Sequence, residues 1–148
     1  MATLIENRKA HFNYEVLDKY NAGIELFGLE VKSLRGGQGS LEGSHVTVRG
    51  NEAYLIGAYI PPYQVNNTPK DYDPRRNRRL LLTKKEIAEL SGKESKKGLT
   101  VVPLSVYNSN NLIKLEIAVV RGKKKFDKRE TIKKQEGERE IRRTLKNS

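Results

Sequence analysis

The sequence predicts a mainly β domain with short helices, built as a small antiparallel barrel or sandwich of about six strands. Three observations carry that expectation. Apolar and polar residues alternate over short stretches bounded by Gly, Asn and Pro. Only one stretch carries a complete helix-start signature. And 148 residues, 36% of them hydrophobic, are enough for one ordinary core.

The elements follow in order. Phe12, Tyr14 and Val16 alternate with Asn13, Glu15 and Leu17, as a half-buried strand does. Asn21-Ala22-Gly23 reads as a turn, after which Ile24 and Leu26 resume the alternation. Leu29 to Arg35 suits a short helix, with Glu30 in its first turn, Arg35 in its last and Gly36-Gly37 as its stop. Its periodicity is poor, so a strand is the alternative there. Val46 and Val48 lead into the turn Arg49-Gly50-Asn51-Glu52, and Ala53 to Ala58 runs back. Thr83-Lys84-Lys85-Glu86 is a capping box flanked by Leu82 and Ile87 at the staple positions, with Gly92 placed to end the helix. Leu99 to Tyr107 and Leu112 to Val120 flank Asn108-Ser109-Asn110-Asn111 as a final hairpin. Ile113, Leu115, Ile117 and Val119 form one apolar face of its second strand. Pro103 donates no hydrogen bond to a ladder, which places an edge or a bulge in the first.

The charge separates a body from a tail. Lys and Arg number 29 against 18 Asp and Glu, a net charge of +11. Residues 121–148 hold 12 of the basic and 5 of the acidic side chains. After Val120 the only aliphatic residues are Ile132, Ile141 and Leu145, too few to offset the entropy of ordering. Residues 1–121 are therefore expected to form the domain. Residues 122–148 are expected to be a basic tail, disordered when free. Glu130 to Lys134 and Glu138 to Arg142 have the spacing that supports a helix against a partner.

Several function classes fall away. The absence of Cys removes disulfides, thiolate metal sites and cysteine nucleophiles. Gly37, Gly39 and Gly43 leave three residues where a dinucleotide fingerprint needs two, and Leu99 follows Gly98 where a P-loop needs Lys. No Gly-x-Ser-x-Gly elbow occurs. His11 and His45 have no metal-ligand neighbour at helical spacing, and Asp71 and Asp73 are expected to pair with the arginines beside them. No enzyme activity, cofactor or metal is expected. No apolar run approaches the ~20 residues of a membrane helix, and Met1 to Lys9 lacks the apolar stretch of a secretory signal. The expected compartment is the cytoplasm. Three aliphatic residues in the tail, beside Glu136, Glu138 and Glu140, make a poor membrane anchor.

A polyanionic partner remains, nucleic acid first. Tyr59 to Arg79 holds Tyr59, Tyr63 and Tyr72, four prolines, and Arg75, Arg76, Arg78 and Arg79. Tyrosine offers a flat stacking surface and arginine forks phosphates, so the segment is a candidate RNA-binding loop. The equal alternative is a loop that packs its tyrosines on the barrel and solvates its arginines. The run Arg121 to Arg129 places Phe126 among Lys123, Lys124, Lys125, Asp127, Lys128 and Arg129, which combines stacking with phosphate contact.

Longer stretches carry a family likeness. Asn7-Arg8-Lys9-Ala10, Ala22-Gly23-Ile24 and Gly28-Leu29-Glu30-Val31-Lys32-Ser33-Leu34-Arg35-Gly36 occur in order. Asp73-Pro74-Arg75, Arg79-Leu80-Leu81-Leu82, Gly98 to Leu104 and Gly122 to Arg129 follow. From about Asn7 to Arg129 the chain closely resembles the small protein B family, bacterial proteins that bind transfer-messenger RNA (tmRNA). The resemblance implies an oligonucleotide-binding-type barrel and no enzyme. It implies an adaptor of trans-translation that binds the transfer-RNA-like domain of tmRNA. That adaptor delivers the RNA to ribosomes stalled on messages lacking a stop codon. It also implies a tail that becomes helical in the empty message channel of the small subunit, near the decoding region. Alanyl-tRNA synthetase and elongation factor Tu would be partners through the RNA. Family contact positions fall on Asn21, where an acidic residue is often found, on Leu81 and on Lys114. For Leu81 a core position is the equal alternative. Glu30, Lys32 and Arg35 are family hallmarks, Glu30 serving RNA contact, the helix start or an internal salt bridge. In the tail, Lys123 to Arg129 match the ribosome-contacting motif. The runner-up function is a general ribosomal or RNA-chaperone protein of the same fold class.

Overall fold

The structure is a computed structural model, and it describes residues 2–122. Seven strands and three α-helices alternate along it: β1 (Ala2–Glu6), α1 (Arg8–Asn13), β2 (Tyr14–Ile24), α2 (Gly28–Arg35), β3 (His45–Arg49), β4 (Glu52–Ile56), β5 (Arg78–Leu81), α3 (Lys84–Glu94), β6 (Leu99–Ser109) and β7 (Leu112–Gly122). A single 3-10 turn at Val65–Asn67 interrupts the long loop before β5.

Six strands close a ring in the order β6-β3-β4-β5-β2-β7, and β7 pairs back onto β6. All pairings are antiparallel. β1 adds a seventh strand beside the far half of β6. This is the oligonucleotide-binding-type barrel with short helices, and closure leaves few exposed edges. Along each strand alternate residues enter the ring. Ala22, Val46, Leu55, Leu80, Val101, Leu115, Ile117 and Val119 fill it, joined by Leu34 from α2 and Leu90 from α3. A smaller cluster lies where α1 sets Ala10 over Val102, Leu104, Ala118 and Val120.

The capping box forms as its sequence requires: Thr83 Oγ1 accepts from the Glu86 N–H at 3.2 Å, and Glu86 accepts from the Thr83 N–H at 3.1 Å. The Pro103 expectation also resolves locally. The β6–β7 register shifts between Pro103 and Ser105, a bulge at Leu104. Its carbonyl accepts from the Asn7 N–H at 2.8 Å.

Three local expectations are corrected. Phe12 lies in α1, whose start is capped when Asn7 accepts from the Ala10 N–H. Asn21-Ala22-Gly23 is not a turn, because β2 runs straight through it, paired with β7 at all three residues and with β5 as well at Gly23. Gly92 does not end α3, which continues to Glu94 because Lys93 and Glu94 are held by the barrel. Lys93 donates to Asp18 at 2.5 Å, and Glu94 accepts from Thr47 and from the Val48 N–H.

Candidate nucleic-acid interface

One outward face of the ring is centred on Gly23. In β2 it stands between Leu81 of β5 on one side and Lys114 of β7 on the other. Directly opposed residues share a face. The intervening Ala22, Leu80 and Leu115 point inward and are buried, so Leu81, Gly23 and Lys114 point outward together. Asn21 joins them one repeat along β2. Three residues separated by up to 93 positions thus meet because β2 is the strand that β5 and β7 share.

The missing side chain at Gly23 shapes this face. A Cβ there would lie 3.1 Å from Leu81 Cβ. Its absence lets Leu81 lie against β2 while remaining 49% exposed. Leu81 is therefore a surface residue. Asn21 is oriented by a partner that sequence reading missed. The Tyr107 hydroxyl donates to Asn21 Oδ1 at 2.9 Å. Burial, and then the charge of Glu116, push the Tyr107 phenol upward, so it stays a protonated donor. The only sequence signal for Tyr107 was its place near the end of an apolar strand, opposite Lys114 in the hairpin.

The arginine-rich loop divides its arginines between the interior and the surface. Two of its arginines turn inward. Arg78 and Glu30 are fully buried and paired at 2.7 Å. Arg78 also donates to the carbonyls of Ala58, Pro74 and Arg76 at 2.9 to 3.0 Å. Arg76 donates to Glu30 Oε1 at 2.5 Å, and its guanidinium lies 3.9 Å from the centre of the Phe27 ring. The Phe27 N–H donates to the same Glu30 oxygen at 2.7 Å, which fixes the start of α2. Tyr72 donates to the Ile60 carbonyl at 2.8 Å and reaches Glu30 at 3.1 Å. Burial opposes the charge on Glu30. The hydrogen bonds from Arg76, Phe27 and Arg78, together with the Arg78 charge, outweigh it and hold the carboxyl below the usual carboxylate range. Glu30 and Arg78 are thus internal struts that join α2, the loop and β5, with no side-chain surface to offer a ligand.

The remaining candidates are outward but dispersed. Arg75 stacks over Tyr59 at 5.2 Å and donates to the Gly57 carbonyl. Asp73 accepts from the Arg75 N–H at 2.9 Å, a turn contact in place of the expected ion pair. Lys32 sits 5.9 Å above Tyr63. Arg35 reaches across to the tip of the β6–β7 hairpin, donating to the Asn111 carbonyl at 3.0 Å. The tail candidates, Lys123, Lys124, Lys125, Phe126, Asp127, Lys128 and Arg129, lie outside the described residues. Among the described residues no helix is long and apolar enough to cross a membrane.

Comparison with known proteins gives one answer. The family model described as SmpB protein matches residues 4–147. The chain is 46% identical over 143 residues to the SsrA-binding protein of Gloeothece citriformis, covering 97% of this chain and 92% of that one. It is 50% identical over 146 residues to the SsrA-binding protein of Mesorhizobium japonicum, covering 97% and 91%. A solved structure described as "tmRNA-SmpB: a journey to the center of the bacterial ribosome" superposes with a TM-score of 0.71 at 45% identity, covering 84% of this chain and 87% of that one.

Proposed function

This chain belongs to the SmpB protein family, and we propose that it is the RNA-binding adaptor of trans-translation. It binds the transfer-RNA-like domain of tmRNA and brings it to ribosomes stalled on messages without a stop codon. The observation that carries this reading is the Gly23-centred face, where a cation, an exposed leucine and an oriented amide stand on a closed barrel. Such a surface suits a folded RNA read by shape: Lys114 meets a phosphate, Leu81 packs on ribose, and Asn21 hydrogen-bonds a polar edge. Closure keeps the contacts at fixed separations, so little ordering cost is left for binding.

The tail has a separate role. The residues after Gly122 act in the empty message channel, with Lys123, Lys124, Lys125, Lys128 and Arg129 meeting ribosomal RNA and Phe126 stacking. Message that already fills the channel excludes those contacts. The protein is not an enzyme and works in the cytoplasm. Alanyl-tRNA synthetase and elongation factor Tu join through the RNA.

The reading is tested by fluorescence anisotropy on a labelled transfer-RNA-like domain with Leu81→Ala and Lys114→Ala. Each is expected to weaken binding by about 5- to 20-fold with the melting temperature unchanged. Wild-type affinity in both variants would place the RNA elsewhere.

A further inference from the structure

The strand alternation extends the Gly23 face by one more residue. Leu112 lies two positions before Lys114 on β7 and points the same way. It is 63% exposed, more than Leu81. Single exposed leucines are ordinary, but this one is held in place. It follows a two-residue turn in which Asn110 and Asn111 both take left-handed φ, at 50° and 64°. That geometry matches the twist of a tight hairpin. The turn is also tied from outside: Arg35, at the last turn of α2, bonds the Asn111 carbonyl across 76 residues of sequence.

Cations and continuity argue for the occupant. Lys114 stands two positions on along the same face, Arg35 bonds the carbonyl of the residue before Leu112, and the strip from Leu81 through Gly23 to Lys114 leads directly to it. Two strand spacings of about 4.8 Å and one repeat of about 6.8 Å put Leu81 and Leu112 about 12 Å apart. One RNA surface can meet both. We propose that Leu112 is a further contact for the RNA bound at this face, packing on ribose or a base edge, and that Arg35 is a positioning residue acting through it. This rests on the RNA-binding reading above. It gives the family hallmark Arg35 a role in supporting the hairpin tip.

Salt dependence separates the two roles. An apolar contact releases no counterion, whereas a lost phosphate contact flattens the log Kd against log salt slope by about 0.9. Binding to the transfer-RNA-like domain is measured from 50 to 300 mM salt for the full chain and its variants. Leu112→Ala is expected to weaken binding about 5-fold with an unchanged slope and melting temperature. Leu112→Met should restore most of the loss. Leu17→Ala, an exposed leucine on another part of β2, should leave binding at wild type. Arg35→Gln is expected to weaken binding with no change of slope, and to add nothing in the Leu112→Ala background. Wild-type binding by Leu112→Ala overturns the contact. A flattened slope for Arg35→Gln, or additive losses, overturns the positioning role. Failure of the wild-type chain to bind this RNA overturns the underlying reading, and the inference with it.

Discussion

Replacing Glu30 by Gln should cost stability and leave RNA affinity alone. The substitution keeps the volume and removes the charge that Arg78 faces at 2.7 Å. Arg78 cannot turn to solvent, since it is fully buried. Breaking a buried pair by removing one partner costs about 3–5 kcal/mol. The lower end applies here, because Arg78 retains the carbonyls of Ala58, Pro74 and Arg76. About 3 kcal/mol is a large share of the roughly 5–15 kcal/mol that holds such a domain. It corresponds to a fall in Tm of roughly 10 °C. The pH dependence has a defined sign. Glu30 has its folded pKa lowered from an ordinary 4.5. Its contribution is therefore complete above that value and is lost as pH falls through the depressed one. Urea melts of wild type and Glu30→Gln should differ by a constant gap from pH 8 to about 5.5, and the gap should narrow below about pH 4.5. At a temperature where both are folded, their Kd for the transfer-RNA-like domain should agree within about 3-fold. A stability loss below about 1 kcal/mol, or a large loss of affinity by the folded variant, would refute the strut assigned to Glu30.

Three further outcomes follow from the same geometry. Thr83→Ala removes the cap of α3 and should lower stability by about 1 kcal/mol in a urea melt, with RNA binding unchanged. Lys114→Ala should flatten the log Kd against log salt slope by about 0.9, as one lost phosphate contact requires; an unchanged slope would mean that this amine meets no phosphate. A chain ending at Gly122 should bind the transfer-RNA-like domain as the full chain does and fail to rescue stalled ribosomes in a tagging assay. Equal loss of both activities would remove the division between barrel and tail.

What could be read in advance was local. The Thr83 and Glu86 pair is separated by three residues, so its bonds are set by the helix itself. Pro103 signalled a bulge because a missing N–H acts where it stands. The β3–β4 and β6–β7 hairpins are close in sequence and were legible from their turns. Asn21-Ala22-Gly23 misled because turn-forming residues in a paired strand obey the ladder rather than their own preference. Gly23 is there for its missing side chain, a reason visible only once Leu81 lies beside it. β5 went unread inside a stretch dominated by arginine, since its partners β2 and β4 come earlier in the chain. The same distance hid the function of Arg78 and Glu30, which are 48 residues apart. A hint was present: Arg78 and Leu80 share an alternation, so a strand through them would bury both or expose both.

Asn21, Leu81 and Lys114 came from the family likeness, while the barrel brings them together. Composition weighs RNA contact and packing equally for the Tyr59 to Arg79 loop, whose Arg76 and Arg78 are held by Glu30. Counting basic residues could not separate a guanidinium that faces a ligand from one that holds a helix.

The most direct test of the account is competition. Full-length protein is bound to the labelled transfer-RNA-like domain at physiological salt and challenged with an ordinary transfer RNA and a plain duplex. A dedicated adaptor that reads shape should hold its RNA against excess of both. Equal displacement by all three, with steep loss as salt rises, would mean a general electrostatic binder of RNA and would contradict the function proposed here.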